Sequence, residues 1–408
     1  MDRDRTLELV RCGYPWAAAL RQGKDAVPTR LLGRRAVVVG GPAGVRRFYD
    51  PRLRRRGAFP SAVKLVLFGP GTVHGLDDAE HQLRKALFLG VITPEAVVAL
   101  GERAEREWAA AIDRWPGRER VVLFDEAVQV LAASVLPWAG VPVADGELPR
   151  RARQLATVLH GFAAPGPAYA RAVVARLQVG HWAKGLVRGV RAGRLDPPPG
   201  TALHEAAHAT DHEGRLLPER VAATALLNVV RPTVAVAWFV AFAGKALHEH
   251  PEWRERIAAG DDRAVDAFVH EVRRLYPFVP VLAARAREPQ DVLGVRVPRG
   301  GLVVLDVHGT DHDPVHWPDP DRFDPERFLD APVDPDTLVP QGGGDVVTGH
   351  RCPGEGVTLT MLAVAVRALA PLPDTMPPQD LGYDITRIPT RPRSGVVLTT
   401  GDRSPQPR

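Results

Sequence analysis

Residues 340–360 read PQGGGDVVTGHRCPGEGVTLT. Glycines at 342, 343, 344, 349, 354 and 356 surround a single cysteine, Cys352. Backbone without Cβ atoms can approach a flat ligand closely. Cys352 ends this loop and opens the helical pattern GVTLTMLAVAVRALA over 356–370. A helix N-terminus predicts a thiol pKa lowered toward the thiolate. Loop N–H groups are available to donate to the sulfur. These are the requirements of a cysteine that ligates iron. An inert cysteine in a glycine-rich turn and a protease-type nucleophile are the alternatives, although no downstream His or Asn pattern accompanies the latter.

Helical periodicity dominates outward from this loop. EAVVALGERAEREWAAAIDRW (95–115), EAVQVLAASVLPWAG (126–140) and DRAVDAFVHEVRRLYPF (262–278) each carry apolar residues at helical spacing. Strand-like runs are short: RRAVVVGG (34–41), VRVPRGGLVVLDVHG (295–309), which reads as a hairpin turning at Arg299-Gly300-Gly301, and SGVVLTT (394–400). Helices with small edge sheets predict a mainly α architecture. RLDPPPGTA (194–202) and PLPDTMPPQD (371–380) read as loops within one unit rather than domain linkers.

The most unusual helix is LLNVVRPTVAVAWFVAFAG (226–244), entered after Pro218 and extending to about His248. It is apolar on every side, so it belongs inside the protein. Arg231 and Pro232 stand at its centre. A buried, unpaired charge is costly, and the proline removes one N–H and predicts a local opening of the helix. Either Arg231 is structural and paired with a buried Glu or Asp, or it is a receptor for a ligand carboxylate.

Composition narrows the classes. The 53 basic and 48 acidic residues leave a net charge of only +5. The densest basic run, RLRRR at 52–56, has no interleaved aromatic residues, so it lacks a nucleic-acid stacking platform. The longest uncharged run of the central helix, 232–244, has 13 residues, short of the ~20 needed to span a bilayer. The N-terminus has no signal-like apolar run, and two isolated cysteines, Cys12 and Cys352, form no disulfide framework. An unanchored cytoplasmic protein is expected.

Three segments in order carry a resemblance. GHRCPGEG is similar to the heme-binding loop of the cytochrome P450 family, EVRR (271–274) to its Glu-x-x-Arg helix, and DPERF (324–328) to its meander segment. The resemblance runs from about residue 30 to 400. It implies one heme-thiolate domain over 1–408, with short flexible ends near 1–10 and 402–408. It also implies heme b on Cys352 and a heme-face network of Glu271, Arg274 and Arg327.

Two departures from the common family pattern narrow it further. The positions seven and four residues before the cysteine, usually Phe and Gly, hold Asp345 and Thr348. Arg231-Pro232 replaces the acid–alcohol pair that delivers protons to bound dioxygen. Both departures resemble the bacterial fatty-acid peroxygenase and decarboxylase subgroup. That likeness implies hydrogen peroxide as co-substrate, no obligatory redox partner, and a long-chain fatty acid whose carboxylate is held by Arg231 and serves as the acid–base group. Pro232 then makes room for both. His74, in LFGPGTVHGLDDAEHQLRKALFLG (67–90), stands where alkene-forming members carry His. His81, Lys85 and Arg55 match positions that meet heme propionates. Phe68, Phe278, Val279 and Val281 are tail-pocket candidates by position. A dioxygen-dependent monooxygenase with redox partners and a heme or fatty-acid sensor without turnover are the alternatives. HEAAH (204–208) fits the zinc-helix pattern His-Glu-x-x-His but lacks the Gly and His continuation of the metzincins.

Overall fold

The computed structural model describes residues 3–144, 146–330, 332–373 and 376–399. Its axis is the helix Glu219–Glu249, entered directly from Pro218, whose fixed φ suits the start of a helix. The stretch of this helix apolar enough to cross a membrane is 94% buried inside the protein. It is therefore core. Helices Leu123–Trp138, Pro167–Arg191 and Glu355–Leu369 pack around it. Gly244 makes room for one of these contacts, because a Cβ there would meet Leu123 Cδ2 at 2.3 Å.

The opening expected at Pro232 does not occur: the helix runs through it unbroken. The lost N–H costs one bond, while burial holds Arg231 and Thr233 on either side. Pro232 itself is exposed. The Thr233 hydroxyl also donates back to the Val229 carbonyl at 3.1 Å.

The main sheet has five strands in the order Ala26–Leu31, Arg34–Val39, Leu302–Asp306, Val281–Ala286 and Leu53–Arg54. Successive side chains alternate between its faces. Val37, Val39, Val303 and Leu305 join one core cluster; Ala36, Val38, Leu302 and Val304 join the other.

The hairpin expected across 295–309 does not form. Val295–Val297 pairs backwards with Gln290–Val292, while Leu302–Asp306 enters the main sheet between two strands. All five residues of LVVLD are buried, a pattern that demands a central strand rather than a hairpin edge. The turn at Gly300 and Gly301 instead bonds to Ala286, donating from Gly300 N–H and accepting at Gly301 C=O. At the N-terminus, Thr6–Cys12 is helical, within the end expected to be loose. Residues 402–408 lie outside the described residues.

Candidate active site

The cysteine loop is held from four sides. Tyr49 Oη accepts the Gly343 N–H at 2.9 Å. Lys85 Nζ donates to the carbonyls of Gly349 and Arg351 at 2.7 and 2.6 Å. Glu355 accepts from Arg351 and from Arg273 at 2.9 and 2.6 Å. Asp345 closes a turn by accepting the Val347 and Thr348 N–H groups, which gives the unusual Asp345–Thr348 spacing a physical role. Gly342 has φ +87° and lies so close to Tyr49 that a Cβ would meet the phenol oxygen at 2.6 Å.

Cys352 Sγ receives the Gly354 N–H and, at 3.7 Å, Gln341 Nε2. The expected lowering of its pKa is reversed: burial pushes the thiol up, outweighing these donors and Lys85. The following helix starts at Glu355, too far along for its N-terminus to dominate. A buried thiol in that state becomes a thiolate when a metal cation replaces its proton.

Behind the loop, Arg274 and Glu271 form a fully buried bidentate pair, 2.6 and 2.7 Å apart. The remaining Arg274 donors go to the carbonyls of Asp311, Pro320 and Arg322. Glu271 also accepts the Asp324 N–H at 2.8 Å, and Arg327 approaches it to 3.8 Å. One helix face, Asp262–Leu275, and the meander turn Pro325–Phe328 are thus tied through a single carboxylate. Burial raises the Glu271 pKa against the pull of Arg274.

Cys352 also lines a cavity of about 1130 Å³, above the roughly 300–1,000 Å³ usual for one small ligand. Cys352, Arg231, Pro232, His74, His81, Lys85, Phe68, Phe278, Val279 and Val281 all line it. Arg55 does not; it is buried beside it, stacked 4.0 Å from the Phe48 ring centroid.

Arg231 is 5% exposed. Among the described residues no carboxylate pairs with it. Its Nη2 donates to Asn228 Oδ1 at 3.1 Å, and its buried Nε has no partner. Burial, then Arg176, lowers its pKa to about 9, which leaves it cationic at neutral pH. A structural pairing with a buried acid is therefore absent. The His74 ring stacks on Phe68 with centroids 4.1 Å apart, and its Nδ1 lies 2.8 Å from Thr72 Oγ1. Burial, with Arg231, His81 and Lys85, brings His74 to about 3, so it is neutral.

These residues suit a heme. A buried sulfur and a glycine-rich loop form one wall. Lys85, Arg55 and Arg351 form a cationic flank suited to anionic propionates, and His81, brought to about 4 chiefly by burial and so neutral, lies with its ring centroid 3.8 Å from that of the tilted His350 ring. Among the described residues, buried Arg55 Nη1 and Gln341 Oε1 have no hydrogen-bond partner. The lysine expected at a propionate has two of its donors on the cysteine loop. Gln341, Tyr49, Arg273, Thr72 and Asn228 escaped sequence reasoning; the Tyr49–Gly343, Arg273–Glu355 and Thr72–Asn228 contacts each join distant parts of the chain.

His204 and His208, by contrast, share a face of Ala202–His208 but do not turn ligand atoms toward a common point: the two Nδ1 atoms are committed to Glu205 and the His204 carbonyl. No group of three or more metal-ligating side chains occurs among the described residues.

A family model for cytochrome P450 matches residues 263–369. The solved structure of cytochrome P450SP alpha in complex with (R)-ibuprophen is 38% identical, with a TM-score of 0.93, covering 97% of this chain and 98% of that one. Cytochrome P450EX alpha with myristic acid is 39% identical, with a TM-score of 0.90, over 97% and 96% of the two chains. Ligand-free cytochrome P450 OleT is 34% identical at 0.92, over 98% of each. The chain belongs to the cytochrome P450 family, whose heme is carried on a cysteine thiolate. Trimethyltridecatetraene synthase of Zea mays is 34% identical over 172 residues, 38% of this chain and 30% of that protein.

Proposed function

We propose that the protein is a hydrogen-peroxide-dependent peroxygenase of long-chain fatty acids, acting near the carboxyl end by hydroxylation and by decarboxylation to terminal alkenes. The observation that carries this is Arg231: a buried cation with no counter-ion among the described residues, in the wall of a mostly apolar cavity. A carboxylate supplies the missing charge, and the apolar walls take its chain. Both ligands named in the related structures, ibuprophen and myristic acid, are carboxylic acids.

Heme held by Cys352 would supply oxygen transfer from peroxide, the thiolate's electron donation favouring O–O cleavage. The chain's own residues do the rest. Arg231 orients the carboxylate by charge-assisted hydrogen bonds, which brings the α and β carbons nearest the reacting oxygen. The held carboxylate accepts a proton from one peroxide oxygen and returns it to the oxygen that leaves as water, general acid–base work done by the substrate. The hydroxylation balances as acid plus peroxide giving hydroxy acid and water. The decarboxylation gives alkene, carbon dioxide and two waters. Phe68, Phe278, Val279 and Val281 flank the chain, and Pro232 removes a backbone N–H beside the carboxylate. Glu271, Arg274 and Arg327 brace the other face. Lys85 and Arg55 offset the propionate charge, and His81, neutral, offers a ring N–H. No redox partner is required. We place the enzyme in the cytoplasm, where both free cysteines stay reduced.

The test is turnover of a long-chain fatty acid by heme-loaded protein with hydrogen peroxide and no reductase. Expected products are 2- and 3-hydroxy acids and an alkene one carbon shorter. Turnover only with an electron-donating partner and dioxygen would overturn the reading.

A further inference from the structure

Arg231 and His74 come from elements far apart in sequence, yet one unbroken line of hydrogen bonds joins them. Arg231 Nη2 donates to Asn228 Oδ1 at 3.1 Å. Asn228 Nδ2 donates to Thr72 Oγ1 at 3.1 Å. Thr72 Oγ1 meets His74 Nδ1 at 2.8 Å. The direction of every bond follows from the first. A guanidinium only donates, so the Asn228 oxygen must face it. The Asn228 amide nitrogen then faces Thr72 and can only donate. Thr72 is 2% exposed, and among the described residues its hydroxyl has no acceptor other than His74. Its proton therefore goes to His74 Nδ1, since a buried hydroxyl left without an acceptor is unfavourable.

We propose that Thr72 and Asn228 are positioning residues that fix His74 as the Nε2–H tautomer, a hydrogen-bond donor toward the cavity, and register it against the carboxylate-binding Arg231. This rests on the function proposed above for its consequence but not for its geometry. The imidazole stays neutral because burial first, and then the nearby cations Arg231 and Lys85, oppose its protonation. Its ring plane is set by Phe68, which stacks on it at 24°. A neutral Nε2–H can donate to a carboxylate or peroxide oxygen but cannot act as a base, so His74 steers an oxygen and does not remove the peroxide proton. Loss of the Thr72 hydroxyl frees Nδ1 to carry the proton and turns Nε2 into an acceptor, which repels the same oxygen.

The test uses holoprotein in its diamagnetic ferrous carbon-monoxide form, labelled with ¹⁵N-histidine, without substrate. The His74 signals are assigned by their loss in His74→Phe. Wild type is expected to show a pyridine-type Nδ1 and a protonated Nε2. Thr72→Ala should shift the tautomer ratio about fivefold toward Nδ1–H, the weight of one ordinary hydrogen bond, and Thr72→Ser should restore it. Asn228→Leu should shift it in the same direction by less. Product analysis with peroxide and fatty acid should show the alkene-to-hydroxy-acid ratio following the tautomer across these variants. An unchanged tautomer in Thr72→Ala, or a Thr72→Ser protein that behaves as Thr72→Ala, overturns the proposal. Because the spectra need no substrate, that result is separable from a failure of fatty-acid binding, which an optical titration of the same samples reports.

Discussion

Two buried arginines, Arg274 tied to the meander and Arg231 in the cavity wall, are treated in opposite ways. Arg274 has its charge matched by Glu271, with both carboxylate oxygens engaged and three backbone carbonyls taking the remaining donors. Arg231 has one neutral amide and no carboxylate among the described residues. The first arginine is satisfied by the fold. The second carries an unmet demand, and only a ligand can meet it. A charge whose desolvation the protein leaves uncompensated is a reasonable mark of a binding site, whereas a compensated one marks architecture.

The largest contrast expected follows from removing one member of each arrangement. Glu271→Ala strands Arg274 in a dry interior, and breaking a buried pair in this way costs about 3–5 kcal/mol. Chemical denaturation should show this loss, together with poor heme retention. Arg231→Met removes a buried charge that has no counter-ion, so the same denaturation should show no loss or a gain. Its peroxide-driven turnover of fatty acids should fall by roughly 10²–10⁴, the usual worth of positioned acid–base chemistry. If Arg231→Met unfolds as readily as Glu271→Ala, the distinction between the two arginines fails.

Acid sharpens the comparison. His270, beside Arg273, and His312 are held by burial at about 4, and His74 at about 3. In the unfolded chain each titrates near 6.5. Stability from keeping them neutral is therefore complete above about pH 6.5 and is lost as pH falls toward 4. The slope is about 1.4 kcal/mol per pH unit for each group that takes up a proton only on unfolding. Melting temperatures measured from pH 7.5 to 4.5 should drop steeply below 6.5; a flat profile would show that these rings are already charged in the fold. The smallest effect expected is from Tyr49→Phe, which removes the acceptor for the Gly343 N–H. Its cost should be about 0.5–1.5 kcal/mol, with fatty-acid affinity unchanged.

The paired and unpaired arginines also differ in how far the sequence reveals them. Glu271 and Arg274 lie one helical turn apart, so their meeting is a local matter. Arg231 is conspicuous because its neighbours are apolar, but that alone leaves open whether a distant acid reaches it. Only the fold removes that alternative. Helical elements at 95–115, 126–140, 262–278 and 356–370 are legible from periodicity. The strand character of Leu302–Asp306 is legible too, but its place is not: buried on both faces, it pairs with Val281–Ala286 and Arg34–Val39 across the chain rather than with its neighbour in sequence. The direction of the Cys352 shift is invisible in sequence for the same reason: helix position is local, whereas burial, which wins here, is a property of the packed whole. Thr72 and Asn228 are 156 residues apart, and neither residue type signals a role until the two are brought together.

The most direct test of the uncompensated guanidinium is an optical titration of heme-loaded protein with a long-chain fatty acid and with its methyl ester, in wild type and in Arg231→Met. Two charge-assisted hydrogen bonds predict a preference for the acid of about 10²-fold or more in wild type, vanishing in the variant. Equal affinity for acid and ester in wild type, or a preference that survives in Arg231→Met, would contradict the account.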